Sequence, residues 1–262
     1  MRIAQISRRT VCCALVCIAC LPAALAAPSA QDILGMSDAV RNPGKPFSVD
    51  TELIEYRNGK KIDTMKLAVY SRASDSTGQF RSLVRFLAPE RDVNKLMLKM
   101  GNELWYYDAA NKSSIRIPPQ QRLLGQAANG DVVTVNFAKD YVAEILGEEE
   151  VRDGERVQRR CHHLQLTART EDVLYRLIDM WVDVTLNRPV KALFKSDSGR
   201  LLKTVYYRRY RSELGAERPT ETVVIDGVDP SWITVMQYTN YAFRDIPESW
   251  FQRDFLPRFR PE

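Results

Sequence analysis

The side chains that could do chemistry gather in two places along the chain. In the first, Cys161, His162 and His163 are consecutive, and Asp179 and Asp183 follow at a spacing of four. Neighbours on a strand point to opposite faces, so the two histidines cannot both reach one metal ion from it. Cys161 and His163 do share a face, where an imidazole could lower the thiol pKa toward a reactive thiolate; such a pair on a strand is ordinarily packing. Asp179 and Asp183 share a face about 13 Å apart at ~3.3 Å per residue, too far for the carboxylate pair of a retaining glycosidase. Glu148-Glu149-Glu150 reads as a solvated run after a helix. No Gly-x-Ser-x-Gly elbow, Walker loop, GxGxxG or His-Glu-x-x-His occurs. The expectation is therefore a protein without catalytic residues, metal ligands or cofactor.

The second place is LWYYDAANKSSIRIPP, residues 104–119. Trp105 and Tyr107, at i and i+2, project from one face of a strand, with Tyr106 on the other. Large rings without acids or bases beside them serve either as core or as the wall of an apolar ligand site. The pattern alone leaves both open.

The elements that must position these residues begin after residue 26. Arg2, Arg8 and Arg9 precede an apolar run from Val11 to Leu21 and then Ala24-Leu25-Ala26, which describes an export signal. The run is shorter than the ~20 apolar residues of a membrane span. Ser7-Arg8-Arg9-Thr10-Val11 resembles a twin-arginine signal, and Cys17-Ile18-Ala19-Cys20 resembles a lipobox in which Cys17 stands at the usual aliphatic position. The expected form is residues 1–26 as a cleaved signal peptide and 27–262 as one periplasmic domain, rather than a lipoprotein anchored through Cys20. Four of the five cysteines leave with the signal, so Cys161 has no intramolecular disulfide partner. The signal holds three of the 38 basic residues and none of the 33 acidic ones, which leaves a net charge of +2. That balance does not suggest a nucleic-acid partner.

Ile33, Met36 and Val40 have helical spacing until Asn42-Pro43-Gly44. From Phe47 the period becomes two, and Asn58-Gly59 marks a hairpin. Met65, Leu67 and Val69 share a face of the next strand, as do Val84 and Phe86, and then Leu96, Leu98 and Met100 opposite Met97 and Lys99. Residues 119–135 look like a loop and 137–147 like a second helix stopped by Gly147. Strand patterns resume at Glu155–Ala168 and continue to Phe243. The expected fold is mainly β: one long antiparallel sheet of roughly ten to twelve strands, curled because flat open sheets of that size are rare.

In this order the features resemble the LolA-like outer-membrane lipoprotein-sorting proteins of the LolA/LolB/LppX-type lipid-binding superfamily. The likeness is carried by Trp105-Tyr106-Tyr107 before Ile115-Arg116-Ile117, by Asp140-Tyr141 and Gly147-Glu148-Glu149, and by Trp181-Val182-Asp183 with Arg188-Pro189-Val190-Lys191. Asp197-Ser198-Gly199-Arg200-Leu201-Leu202-Lys203 and Ile246-Pro247-Glu248-Ser249-Trp250-Phe251, ahead of Phe255-Leu256, complete it. Two positions depart from the family pattern. Ala109 stands where a proline is usual, and Gly130-Asp131-Val132 replaces a Gly-Ser/Thr-Asp-Phe-like segment, so no role is carried over to residues 119–136. The resemblance implies a half-open β-barrel with a few short helices over its concave side and a cavity for acyl chains. It implies a non-catalytic monomeric carrier of lipid or lipoprotein acyl chains toward the outer membrane, with peripheral membrane contact and an inner-membrane transporter as partner. The rival expectation is an envelope module that docks on a transporter complex and fills its barrel with its own side chains; an envelope hydrolase is the third. On the carrier reading, the lipid-facing set would be Trp105 and Tyr107 with Met65, Leu67, Val69, Val84, Phe86, Leu96, Leu98 and Met100, all on the concave side.

Overall fold

Ser29 starts the first helix, α1 (Ala30–Arg41), with a reciprocal cap: its hydroxyl accepts from Asp32 N at 3.2 Å, and the Asp32 carboxylate accepts from Ser29 N at 3.1 Å. At the far end Arg218 donates to the carbonyls of Ala39 and Val40 at 3.1 and 3.0 Å, supplying positive charge where the helix carbonyls lack partners. The computed structural model describes residues 27–260. The expected signal peptide, with its twin arginines and Cys20, lies outside the described residues. No helix among the described residues is long and apolar enough to cross a membrane.

The expected meander then forms. The strands β1 (Phe47–Arg57) and β2 (Lys60–Ala73) are joined through Asn58 and Gly59, both at positive φ, 48° and 73°, as a tight hairpin requires. Alternation on β1 is kept because only one face is buried: Phe47, Val49, Thr51 and Leu53 point in. After β3 (Phe80–Ala88), β4 (Leu96–Met100), β5 (Glu103–Asp108) and β6 (Ser113–Ile117), the chain leaves the sheet. It makes the small ribbon β7 (Arg122–Leu124) and β8 (Ala127–Ala128), then one helical turn, α2 (Phe137–Asp140). It returns as β9 (Tyr141–Arg152), β10 (Gln158–Ala168), β11 (Leu177–Asp183), β12 (Pro189–Lys195), β13 (Leu201–Glu213), β14 (Ala216–Asp226) and β15 (Trp232–Phe243).

Thirteen of these strands form one antiparallel sheet in the order β6-β5-β4-β3-β2-β1-β15-β14-β13-β12-β11-β10-β9. Its two halves join where β1 pairs β15, with Leu53 opposite Met236. The outermost strands β6 and β9 do not pair, so the sheet is not closed into a barrel. Its inner face carries α1, the 118–136 segment and α2; the outer face of β2 to β5 is covered by residues 246–259, which include two short 3-10 segments.

The helix expected over 137–147 is corrected. Only Phe137–Asp140 is helical, and the remainder is the edge strand β9, paired with β10 from Tyr141 opposite Ala168 to Arg152 opposite Gln158. Ala143, Glu144 and Leu146 favour helix intrinsically, and pairing along the whole of β10 overrides that preference. Gly147 stops no helix; it sits in a bulge in which Leu146 is the extra residue between the pairs His163–Gly147 and Leu164–Ile145. Glu148 and Glu149 are accordingly strand residues that hold the neighbouring strands. Glu148 faces Arg160 at 2.7 Å, and Glu149 accepts from the Trp181 indole at 2.6 Å.

Candidate functional site

The first group of chemically capable residues has structural work. His163 stacks on Trp181, ring centroids 4.4 Å apart, with Nδ1 3.2 Å from Glu149. Asp179 pairs with Lys195, and Asp183 accepts the backbone N–H groups of Thr185 and Leu186 at 2.9 and 2.8 Å. Cys161 is fully buried with Trp181 and Val190, and burial pushes its thiol up to about 12, the opposite of a reactive thiolate. Among the described residues no three His, Cys, Asp or Glu side chains are placed to hold a metal ion.

The rings of the second group face outward, against expectation. Trp105 lies opposite Leu98 and Tyr107 opposite Leu96, and these four pack with Tyr70, Leu83, Ile246, Phe251, Leu256 and Phe259. Their function is to seat the C-terminal segment: Arg253 lies over the Trp105 ring at 4.8 Å, and Phe259 meets Trp250 and Tyr70 edge to face at 4.7 and 5.8 Å. Met100 is 38% exposed. The inner residues of these strands are Met97 and Lys99 on β4 and Leu104 and Tyr106 on β5, the last edge-on to Phe86 at 6.0 Å. Both faces of β4 are buried, so Leu96, Met97 and Leu98 carry no polar alternation from which an inner side could be read. Met65, Leu67, Val69, Val84 and Phe86 do lie on the inner face, in the core, but only Val69 reaches the cavity.

That cavity lies between the sheet and the covering segments, with about 1350 Å³ of empty space including the part open to solvent. Its wall runs from Leu104 on β5 through Val49 and Met236 at the central seam to Phe194 on β12, so the sheet curls around it. The cover is the 118–136 segment, through Val132 and Val133, together with Phe137 of α2 and Leu174 from the β10–β11 connection. Helix α1 fixes this cover: Asn42 donates to Val135 O at 2.8 Å, Gln31 to Ala138 O at 2.8 Å, and Asp38 accepts from Ala138 N at 2.7 Å. At the rim, hydrogen bonds from Thr170 and Asn102 hold the Asp172 carboxyl below the usual range. That contact brings the β4–β5 turn to the β10–β11 connection.

Polar groups interrupt the apolar wall, which an interior free of acids and bases would lack. Lys203 is buried in an ion pair with Asp131 and lies over the Tyr175 ring at 4.5 Å. Asp131 also accepts the Tyr175 hydroxyl at 3.0 Å, and the Tyr141 hydroxyl donates to Tyr175 O at 2.9 Å. Arg41 pairs with Asp38 beneath the Phe137 ring. The Lys99 ammonium donates to Phe80 O at 3.0 Å, and burial lowers its pKa to about 8. Burial likewise pushes Tyr238 up to about 12 and raises Tyr141, Tyr175, Tyr207 and Tyr241, so these hydroxyls stay neutral. Sequence reasoning missed these residues. The one signal available was the double-sided apolar run of β4, which implies that Lys99 cannot be on a solvated face.

The arrangement has known counterparts. A family model whose description is an uncharacterized protein matches residues 78–258. No curated protein matches the chain. Among solved structures, a LolA superfamily protein of Nitrosomonas europaea is 31% identical, with a TM-score of 0.78 over 87% of this chain and 100% of its own. A DUF1329 family protein of Desulfovibrio piger is 20% identical, with a TM-score of 0.73 over 87% of this chain and 97% of its own. A domain of Vibrio parahaemolyticus named for outer membrane lipoprotein sorting is 19% identical, with a TM-score of 0.71 over 86% of this chain and 97% of its own. These last two share the fold; by its likeness to the first, the chain belongs to the LolA superfamily.

Proposed function

We propose that this protein is a non-catalytic carrier that shelters an acyl chain of a lipid or lipoprotein between its curled sheet and the 118–136 cover. The observation that carries the reading is the cavity itself, partly open to solvent and walled chiefly by Phe, Val, Leu, Met and Tyr side chains. Burying an acyl chain gives about 0.8 kcal/mol per CH₂, so a tail of a dozen carbons gives on the order of 10 kcal/mol before ordering costs. Affinity then needs no polar contact. The name of the Vibrio parahaemolyticus relative, outer membrane lipoprotein sorting, is consistent with such cargo. The reading includes removal of residues 1–26, work in the periplasm as a monomer, and handover involving an inner-membrane transporter.

Organic extraction of the purified protein followed by mass spectrometry is the first test, with lipid near one per protein as the expected result. Val224→Trp, on β14 within the cavity wall, should abolish uptake of a fluorescent fatty-acyl probe while the far-UV spectrum stays native. An empty protein whose Val224→Trp variant takes up the probe unchanged would favour the docking module instead. Intact mass of material from a periplasmic fraction should fit a chain beginning at Ala27; a diacylated Cys20 would make it an anchored lipoprotein.

A further inference from the structure

Three cations line the cavity: Arg41, Lys99 and Lys203. Two are already neutralised, Arg41 by Asp38 and Lys203 by Asp131. Lys99 is as deeply buried, 4% exposed, and among the described residues no carboxylate lies within 4.0 Å of its ammonium. The ammonium has three donors, and the Phe80 carbonyl takes one. Asp140, which acts on it electrostatically, is engaged by the Gln79 amide at 2.8 Å, and Asp172 is held by Thr170 and Asn102. Parity puts Lys99 on the inner side of β4 with Met97, opposite Leu104 on β5. Taking an ammonium out of water without a counter-charge is costly, and the burden is removed when an anion completes the pair.

We propose that the cargo of this cavity is a monoanionic amphiphile of the fatty-acid class, its carboxylate seated at Lys99 and its hydrocarbon laid along Val69, Val49 and the β1–β15 seam. Geometry selects one carboxylate: Arg41 and Lys203 are in direct ion pairs, whereas Asp140 acts on Lys99 only at longer range and leaves its ammonium without a contacting anion. Lysine suits a single compact charge, in contrast to the bidentate fork of arginine. The lowered pKa of Lys99, about 8, still leaves it charged at neutral pH, and a bound anion would raise it.

This inference rests on the carrier reading, and one displacement experiment separates the two. A fluorescent acyl probe bound to the wild-type protein is displaced by dodecanoate, by dodecanol and by dodecyltrimethylammonium. The expected order is dodecanoate at least about tenfold tighter than dodecanol, with the cationic amphiphile weakest; about tenfold corresponds to the 1.4 kcal/mol of one modest charge contact. Lys99→Met, close to lysine in length and free of the buried charge, should weaken dodecanoate about tenfold and leave dodecanol unchanged. Equal binding of dodecanoate and dodecanol to the wild type, or retained preference for dodecanoate in Lys99→Met, overturns the anionic head and leaves the carrier standing. Failure of all three amphiphiles to displace the probe overturns the cavity as their site, and the proposal with it. The wild-type comparison stands even if the variant does not fold.

Discussion

Replacing Lys203 by methionine tests whether the ion pair under the cover holds the two layers together. Lys203 is on the sheet, in β13, and Asp131 is in the cover, 72 residues away in sequence. The Asp131 carboxylate also accepts Ala128 N at 2.7 Å and the Tyr175 hydroxyl at 3.0 Å, so it organises the covering loop as well as pairing with the ammonium. Lys203→Met leaves that carboxylate buried without its cation, which costs about 3–5 kcal/mol. Against a total of about 5–15 kcal/mol the variant should still fold, with the urea midpoint lowered by about 1–2 M at a slope of roughly 2–3 kcal/mol/M. Asp131→Leu should cost a similar amount by stranding the ammonium. The double variant Lys203→Met/Asp131→Leu leaves neither charge buried, and replacing both members of such a pair by apolar residues is often close to neutral. The cycle should therefore show at least about 2 kcal/mol of coupling, the double variant being less destabilised than the sum of the singles. Urea unfolding followed by tryptophan fluorescence measures it. Single variants that each lose under about 1 kcal/mol, or strict additivity, would refute the reasoning that this pair is a desolvated clamp.

Three further outcomes follow from the same geometry. Lys99 has a folded-state pKa of about 8 against an ordinary lysine value of about 10.4, so from pH 8 to 10 the unfolded chain binds the extra proton and stability rises with pH, by about 2–3 kcal/mol. Denaturant titrations at several pH values should show that rise in the wild type and not in Lys99→Met; equal slopes would mean that the ammonium is not desolvated. Phe259→Ala, at a 5% exposed ring of the outer cluster, should cost about 3–5 kcal/mol in a urea titration yet leave acyl-probe binding to the folded variant unchanged. Loss of probe binding there would mean that the outer cluster and the cavity are one site. Cys161 should resist alkylation by iodoacetamide at pH 8 in the native protein and react fully in denaturant, and reducing agent should not shift the Tm; rapid native labelling would contradict its burial.

How far the sequence revealed these features depended on how many faces of each element are buried. On β1 one face is wet, so Phe47, Val49, Thr51 and Leu53 declare their side, and Asn58-Gly59 fixes the next strand. Met65, Leu67, Val69, Val84 and Phe86 form one inner set although Ala68, Tyr70 and Leu83 on the opposite face are also buried, because Lys66 and Arg85 still mark the outer side of their strands. On β4 the C-terminal segment covers the second face, and parity could no longer say which of Leu96, Met97, Leu98 and Lys99 points in. An error of one residue there carried Trp105 and Tyr107 to the wrong side, as a one-residue slip does anywhere in a sheet. The edge strand β9 failed differently, because its exposed side chains leave little apolar period and its composition favours helix. The polar lining was out of reach, since the Lys203–Asp131 contact joins a strand to a covering segment 72 residues away in sequence, and no local pattern records it.

The seam between β1 and β15 has a consequence for how the chain comes together. The first and last strands lie side by side at the middle of the sheet, so that Asp50 accepts from Asn240, 190 residues away in sequence. Any stretch ending before residue 232 contains at best two separate meanders, each with an unpatched border at β1 or β14. Contacts of such long range come slowly, because the closure entropy of the connecting chain must be met first. Until the last strand arrives, those borders are templates for mispairing with other chains. The protein should therefore depend more on holding factors during synthesis and transit than a meander of the same size whose neighbours in space are neighbours in sequence.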